Sequence, residues 1–169
     1  MTIKKGNDTV LLVFGSGGHN EQMKRLVKGL VSYGAFTLDN SVSICDDNVK
    51  FPLSTVTYFI PTVTDKYSYL KSLLKLPNVL YSTFITYRNV KRKYNIKFII
   101  STGPGLCINV SMISKLFWSR PAIIYIETWS RFYSKSVSGA IMYYLADYFF
   151  VQNRSLTKLY KRAIYKGRL

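Results

Sequence analysis

The only histidine of the chain, His19, follows a cluster of three glycines, Gly15, Gly17 and Gly18. A glycine turn leading from a strand into a helix aims backbone N–H groups and the positive end of the helix dipole at one point outside the sheet. That point suits an anion, most often a phosphate or diphosphate. The third glycine directly follows the second, so the pattern is not G-x-G-x-x-G, and no Gly-Lys-Ser/Thr follows, which excludes a P-loop. Ser16 lies within the turn. His19 is expected at the helix N-cap, where the dipole favours a neutral imidazole that serves as hydrogen-bond donor, general base or plain loop residue. A second glycine turn, Thr102-Gly103-Pro104-Gly105, repeats the device. Glu127 ends an apolar run and is followed by Thr128, Trp129, Ser130 and Arg131. Its carboxylate reads as a hydroxyl ligand, a base or the ion-pair partner of Arg131, and the Trp129 indole is of a kind that stacks on a sugar ring or a lipid. One histidine cannot by itself be a metal site, and Asp46 and Asp47 are adjacent rather than spaced as Asp-x-Asp, so the sequence assigns no metal ligand and no cofactor and leaves metal dependence open.

The elements that must position these residues alternate strand and helix. Val10–Phe14 is a short apolar run of the kind buried on both faces of a parallel sheet. Glu21–Leu30 reads as a helix with Met23, Leu26, Val27 and Leu30 at helical spacing, closed by Gly34. Further strands are expected at Val42–Cys45, Thr55–Ile60, Lys97–Ser101, Pro121–Ile126 and Tyr148–Val151, and further helices at Leu106–Phe117 and Ser138–Ala146. Thr64–Tyr94 reads as a long helical region broken near Pro77, either a core-packed pair of helices or a membrane-surface element, or both on different faces. The order predicts an α/β, doubly wound, mostly parallel, Rossmann-like sheet in one domain spanning 1–169. In such a sheet the two glycine turns, at the carboxyl ends of neighbouring strands, face one crevice. The stretch Arg154–Leu169 is basic without an acid and ends in a short strand-like pattern. One α/β lobe with a ligand edge normally needs a second wall, so the sequence suggests half of a two-lobed enzyme.

Charge sets the classes of partner. Among 169 residues, 24 Lys and Arg face 8 Asp and Glu, a formal net charge of +16. This implies an anionic partner: a phosphorylated substrate, an acidic membrane surface or nucleic acid. Fourteen tyrosines and ten phenylalanines fit a membrane interface better than duplex DNA, and no nucleic-acid motif concentrates the basic residues. Cys45 and Cys107, isolated in apolar runs, suggest a reduced interior rather than a disulfide framework. No secretory signal and no run of spanning length is visible.

Several motifs occur together in one order: Gly15-Ser-Gly-Gly-His19, Ser101-Thr-Gly-Pro-Gly105, Ile124-Tyr-Ile-Glu127 with Ser130-Arg131, Leu145-Ala-Asp-Tyr148 with Val151-Gln152, and Gly167-Arg-Leu169. Over nearly the whole chain this resembles the membrane-associating, acceptor-binding subunit of the two-part UDP-sugar glycosyltransferases. That family includes the dolichol-linked oligosaccharide N-acetylglucosaminyltransferase subunit and bacterial capsule and exopolysaccharide relatives. The resemblance implies the N-terminal half of a GT-B enzyme, inactive alone, with a separate partner chain supplying the lobe that binds the UDP-sugar. It implies a polyprenyl-diphosphate-linked saccharide as acceptor, inverting transfer, and peripheral attachment at the cytoplasmic face of an anionic membrane. By similarity, Gly15, Ser16, Gly17, Gly18, Gly103, Pro104, Gly105, Ser130 and Arg131 bind substrate, and Glu127, then His19, carry catalysis. The eukaryotic subunit's N-terminal spanning helix has no counterpart in this sequence, which points to a bacterial form attached through the basic, aromatic surface of Lys66–Lys93. The alternative is a non-catalytic membrane recruiter of a catalytic partner.

Overall fold

β1 (Asp8–Phe14) is an inner strand of a seven-stranded sheet, and the other strands add outward from it on both sides. Leu11, Leu12, Val13 and Phe14 are all buried, as a strand with neighbours on both sides and helices on both faces requires. The computed structural model describes residues 8–34, 37–46, 51–61, 69–103, 105–117 and 120–169, with the backbone alone over 69–75. The remaining strands are β2 (Ser41–Cys45), β3 (Val56–Phe59), β4 (Asn95–Ser101), β5 (Ala122–Ile126), β6 (Tyr148–Val151) and β7 (Ile164–Tyr165). The order is β3-β2-β1-β4-β5-β6-β7, and every neighbouring pair is parallel. Leu12 stands opposite Ser43 of β2 and Ile100 of β4. Strand order reverses between β1 and β4, so a crevice opens outside their carboxyl ends. Both glycine turns leave the sheet there.

The helices are α1 (Gly18–Ser32), α2 (Tyr69–Lys93), α3 (Gly105–Leu116) and α4 (Val137–Leu145), with short 3-10 turns at Leu38–Asn40 and Arg154–Lys158. They divide unequally between the faces. On one face α2, α3 and α4 cover a core that includes Leu11, Val13, Ile99, Ile123, Tyr125 and Phe149. On the other, Leu12, Phe14, Ile100 and Ile126 pack with Met23 and Val27 of α1. Beyond α1 that second face is thinly covered, and Phe98 and Tyr148 are exposed on it.

The expected break at Pro77 is absent: α2 is one helix running through the proline. Proline removes one backbone donor and crowds the preceding turn. The stretch that follows nevertheless has a strong reason to stay helical. Val79, Thr83, Tyr87 and Val90 recur at helical spacing and are all buried. Leu80 and Phe84, on the neighbouring stripe, stay partly exposed, so the core-packed and solvent-facing apolar residues fall on different faces of α2. Residues 62–68, with Lys66 among them, lie outside the described residues, as do 47–50, with Asp47 among them. Among the described residues no helix is long and apolar enough to cross a membrane.

Candidate functional site

The two glycine turns are locked to each other through His19. Its Nδ1 lies 2.6 Å from the carbonyl oxygen of Thr102, and the Thr102 hydroxyl donates to the His19 carbonyl at 3.0 Å. A carbonyl only accepts, so Nδ1 carries the proton, and in the neutral ring the lone pair resides on Nε2. Gly103 is required beneath the ring for two reasons. Its φ is +96°, and a Cβ there would come within 2.6 Å of His19 Cε1. The helix starts earlier than expected: Gly17, with φ +64°, is the N-cap, and His19 is the second helical residue. The N–H groups of Gly18, His19 and Asn20 therefore have no carbonyl one turn back to donate to. Gly15 is buried at the end of β1, while Ser16, Gly17 and Gly18 are exposed on the crevice side of the turn. The Ser16 N–H donates to Asp46 Oδ1 at 2.7 Å, which holds the turn to the end of β2. Gly105 opens α3, and Pro104 lies outside the described residues.

The loop after β5 forms the next wall. Asn153 Nδ2 donates to the Trp129 carbonyl at 3.0 Å and also to the Arg131 carbonyl, while Ser155 Oγ donates to the Phe132 carbonyl. Ser130 and Arg131 are thus exposed on a clamped loop. The Arg131 guanidinium reaches Ser134 Oγ at 3.2 Å. The Arg25 guanidinium lies 4.8 Å from the centre of the Trp129 ring, so one face of the indole stacks on α1.

Glu127 is placed differently from the expectation. Its backbone carbonyl faces α1 and β6, accepting from Gln152 Nε2 at 2.9 Å and Gln22 Nε2 at 3.3 Å. Its carboxylate turns the other way, under the first turn of α4, and the residue is 1% exposed. Ser136 Oγ donates to it at 2.9 Å, Tyr160 OH at 3.1 Å and the Thr128 N–H at 3.0 Å. None of these donors is the Arg131 guanidinium, so the ion-pair reading gives way to a neutral-donor network. Ser136 is also the N-cap of α4, accepting from the Gly139 N–H at 2.8 Å. A Cβ on Gly139 would stand 1.8 Å from Glu127 Oε2, so only glycine lets α4 approach the carboxylate. A carboxylate so enclosed does not reach a hydroxyl in the crevice, and the expectation that Glu127 acts as the base does not fit this placement. Burial, reinforced by the Glu127 charge, raises the Tyr160 phenol above its usual range, and burial raises Tyr125 likewise. Burial also pushes the Cys107 thiol up to about 12.

Sequence reasoning passed over the residues that hold this network. Gln22 is a buried amide next to Met23 on the covered side of α1. Ser136, three residues before Gly139 at the head of an apolar run, carries a readable N-cap signal. Tyr160 and Asn153 meet the β5 loop from residues more than twenty positions away, and no local pattern announces that.

Beside the crevice, on the α1 face, a groove of about 350 Å³ is lined by Leu26, Leu30, Ile124, Phe150, Gly167 and Leu169, among others. The Leu169 N–H donates to Gln152 Oε1 at 3.1 Å, so the amide that holds the Glu127 carbonyl also holds this last stretch of chain.

The fold matches solved structures at low identity. A UDP-N-acetylglucosamine 2-epimerase aligns over 98% of this chain and 49% of its own, with a TM-score of 0.67 and 12% identity. Acinetobacter baumannii MurG aligns over 95% of this chain and 45% of its own, with a TM-score of 0.63 and 9% identity. The chain thus spans about half the length of each. The seven-stranded parallel sheet and these two neighbours make it a Rossmann-like α/β fold of the GT-B kind. By sequence it is 30% identical to the UDP-N-acetylglucosamine transferase subunit ALG14 of Kluyveromyces lactis, over 94% of this chain and 77% of that one. It is 25% identical to the human protein of the same name, over 95% and 82%. These relatives are eukaryotic, and the bacterial capsule or exopolysaccharide setting finds no support among them. The sequence profile described as "Oligosaccharide biosynthesis protein Alg14 like" matches residues 10–169, and the chain belongs to that family.

Proposed function

We propose that residues 1–169 form the acceptor-binding domain of a two-chain, inverting glycosyltransferase, working peripherally at the cytoplasmic face of a membrane. The donor is a UDP-sugar, with UDP-N-acetylglucosamine favoured by the names of the relatives. The acceptor is a polyprenyl-diphosphate-linked saccharide. The observation that carries this reading is the pair of glycine turns locked by His19 and Thr102, with three helix N–H groups open beside them. That arrangement fits a diphosphate held next to a neutral imidazole. The Nδ1–H bond to Thr102 orients the ring, and Nε2 takes the proton from the acceptor hydroxyl as its oxygen attacks the anomeric carbon. The bond from that carbon to UDP breaks, and the departing diphosphate leaves on the lobe contributed by the partner chain. Gly15, Ser16, Gly17, Gly18, Gly103 and Gly105 shape the anion site, to which the sequence resemblance alone assigns Pro104, and Ser130 and Arg131 meet the acceptor from the clamped loop. Glu127 serves by holding that loop to α4. The apolar groove between α1 and Lys166–Leu169 supports an apolar helix of the partner chain as its occupant, because it extends the sheet face that α1 leaves uncovered.

The burial of Glu127 favours a second reading, in which this chain recruits and orients the acceptor while the partner holds all the chemistry. One experiment separates the two. The chain is co-purified with a UDP-sugar-binding partner, and sugar transfer to a lipid-diphosphate acceptor is followed for each chain and for the pair. Transfer by the pair alone is expected, with kcat falling about a hundred-fold or more in His19→Ala. Full activity of either chain alone overturns the split enzyme. A fully active His19→Ala pair leaves the recruiter reading.

A further inference from the structure

The face of the molecule opposite α1 has an unusual composition. α2, α3 and α4 contain no aspartate or glutamate at all. The acids nearest them in the chain are Glu127, 1% exposed beneath α4, and Asp147, which accepts the Ile123 N–H of the inner strand β5. The three helices lie side by side, α3 packing against both neighbours. Each presents large apolar side chains outward at helical spacing. On α4 these are Val137 (81% exposed), Ile141 and Tyr144 (78%); on α3, Met112 (53%) and Leu116 (77%). On α2, Phe84 is partly exposed and its ring stacks on Phe117 at 6.1 Å, which joins the α2 and α3 rows. Arg88, Lys91 and Arg92 of α2 and Lys115 of α3 fringe the apolar surface. Lys91 lies 4.6 Å from the centre of the Phe117 ring, its stem along apolar surface.

We infer that the outer face of α2, α3 and α4 is a docking surface for an anionic phospholipid bilayer. A soluble helix layer ordinarily mixes charges of both signs, and a protein-binding patch depletes lysine at its centre and meets a partner of mixed charge. An acid-free layer with apolar and tyrosine side chains inside a basic fringe matches a headgroup boundary instead: rings and aliphatics enter the interface, and cations meet lipid phosphates. The inference rests on the proposed acceptor-binding role and adds to it the surface by which the chain meets the lipid. α3 and α4 both begin at the crevice end of the sheet, next to Gly103 and the β5 loop. A bilayer against their outer faces therefore lies along the rim of the crevice, within reach of a diphosphate whose lipid tail stays in the membrane. The groove for the partner chain is on the opposite face of the sheet, so both can be occupied together.

The test uses the full chain and vesicles of phosphatidylcholine with and without phosphatidylglycerol, read by co-sedimentation. The wild type is expected to bind the phosphatidylglycerol vesicles at least ten-fold more tightly than the neutral ones. Leu116→Glu combined with Ile141→Glu should lose that binding ten-fold or more without lowering the melting temperature, while Tyr33→Glu beside the end of α1 leaves it unchanged. Unaltered vesicle binding by the double variant overturns the inference. So does a change from dimer to monomer in that variant on gel filtration, since a second copy would then cover this face. Transfer by the pair to a short, water-soluble acceptor is measured alongside. Transfer that persists while the wild type ignores anionic vesicles removes the lipid surface and leaves the enzyme. A pair that transfers nothing, while the double variant still loses vesicle binding, removes the enzyme and leaves the surface.

Discussion

Glycines at two positions decide where the charged and titratable side chains can sit. At Gly103 the positive φ and the His19 ring 2.6 Å from a would-be Cβ act together. Gly103→Ala should cost about 2–3 kcal/mol of stability and tilt the imidazole off Thr102. A urea titration should show the stability loss, and kcat should fall by more than the unfolded fraction explains. At Gly139 the missing Cβ is what lets Glu127 lie under α4. The carboxylate accepts from a serine, a tyrosine and a backbone N–H. Glu127→Gln would turn an amide NH2 towards these donors, costing about 1–3 kcal/mol. If Glu127 positions the loop, Glu127→Gln assayed below its melting temperature should keep kcat within a few-fold and show the defect in stability. A general base would lose about a hundred-fold or more in kcat with stability intact.

At the level of elements, Gln152 links the end of β6 to two others. Its Nε2 holds the Glu127 carbonyl at the head of the β5 loop, and its Oε1 accepts the Leu169 N–H beside the groove. The two ends can be cut separately. Leu169→Pro removes the donor to Oε1 and alters the groove lining while leaving the Glu127 carbonyl bond in place; it should weaken capture of the partner chain about five-fold or more, equivalent to about 1 kcal/mol, with kcat at saturating partner unchanged. Gln152→Leu cuts both ends, and should weaken capture similarly and lower kcat as well, because the loop bearing Trp129, Ser130 and Arg131 loses an anchor. Partner titration against initial rate separates the two constants. Equal effects of both variants on kcat would contradict this arrangement. α2 makes a related point: Pro77 weighs locally against a helix, yet four buried side chains downstream hold it together.

Over the whole molecule, several buried acids hold their protons more tightly in the folded chain than in the unfolded one. Burial raises Tyr87 and Cys107 to about 12 and lifts Tyr125 and Tyr160 as well. Above the ordinary thiol and phenol range the unfolded chain has released protons that the folded chain retains, so stability falls as pH rises. This contribution is complete below about pH 9 and is lost between there and about pH 12. The urea midpoint should therefore hold steady near neutrality and drop steeply above about pH 10. A midpoint that stays level to about pH 11 would contradict the burial of these groups.

Much of this was open to reading in the linear chain. Strand and helix periods are local, so the alternation of elements and the doubly wound order followed from hydrophobic spacing, and the glycine turns marked the crevice because backbone geometry is local too. The motif order identified the family for the same reason, being carried in the chain itself. The direction of the Glu127 side chain was decided only in three dimensions: a strand end offers both faces of the sheet, and Ser136, Tyr160 and Gly139 chose one. Likewise the acid-free sequence of α2, α3 and α4 was present from the start, but its meaning depended on the three helices sharing one face. Residues far apart in the chain compete for the same space and the same hydrogen-bond donors, and only their packing settles which way each side chain turns.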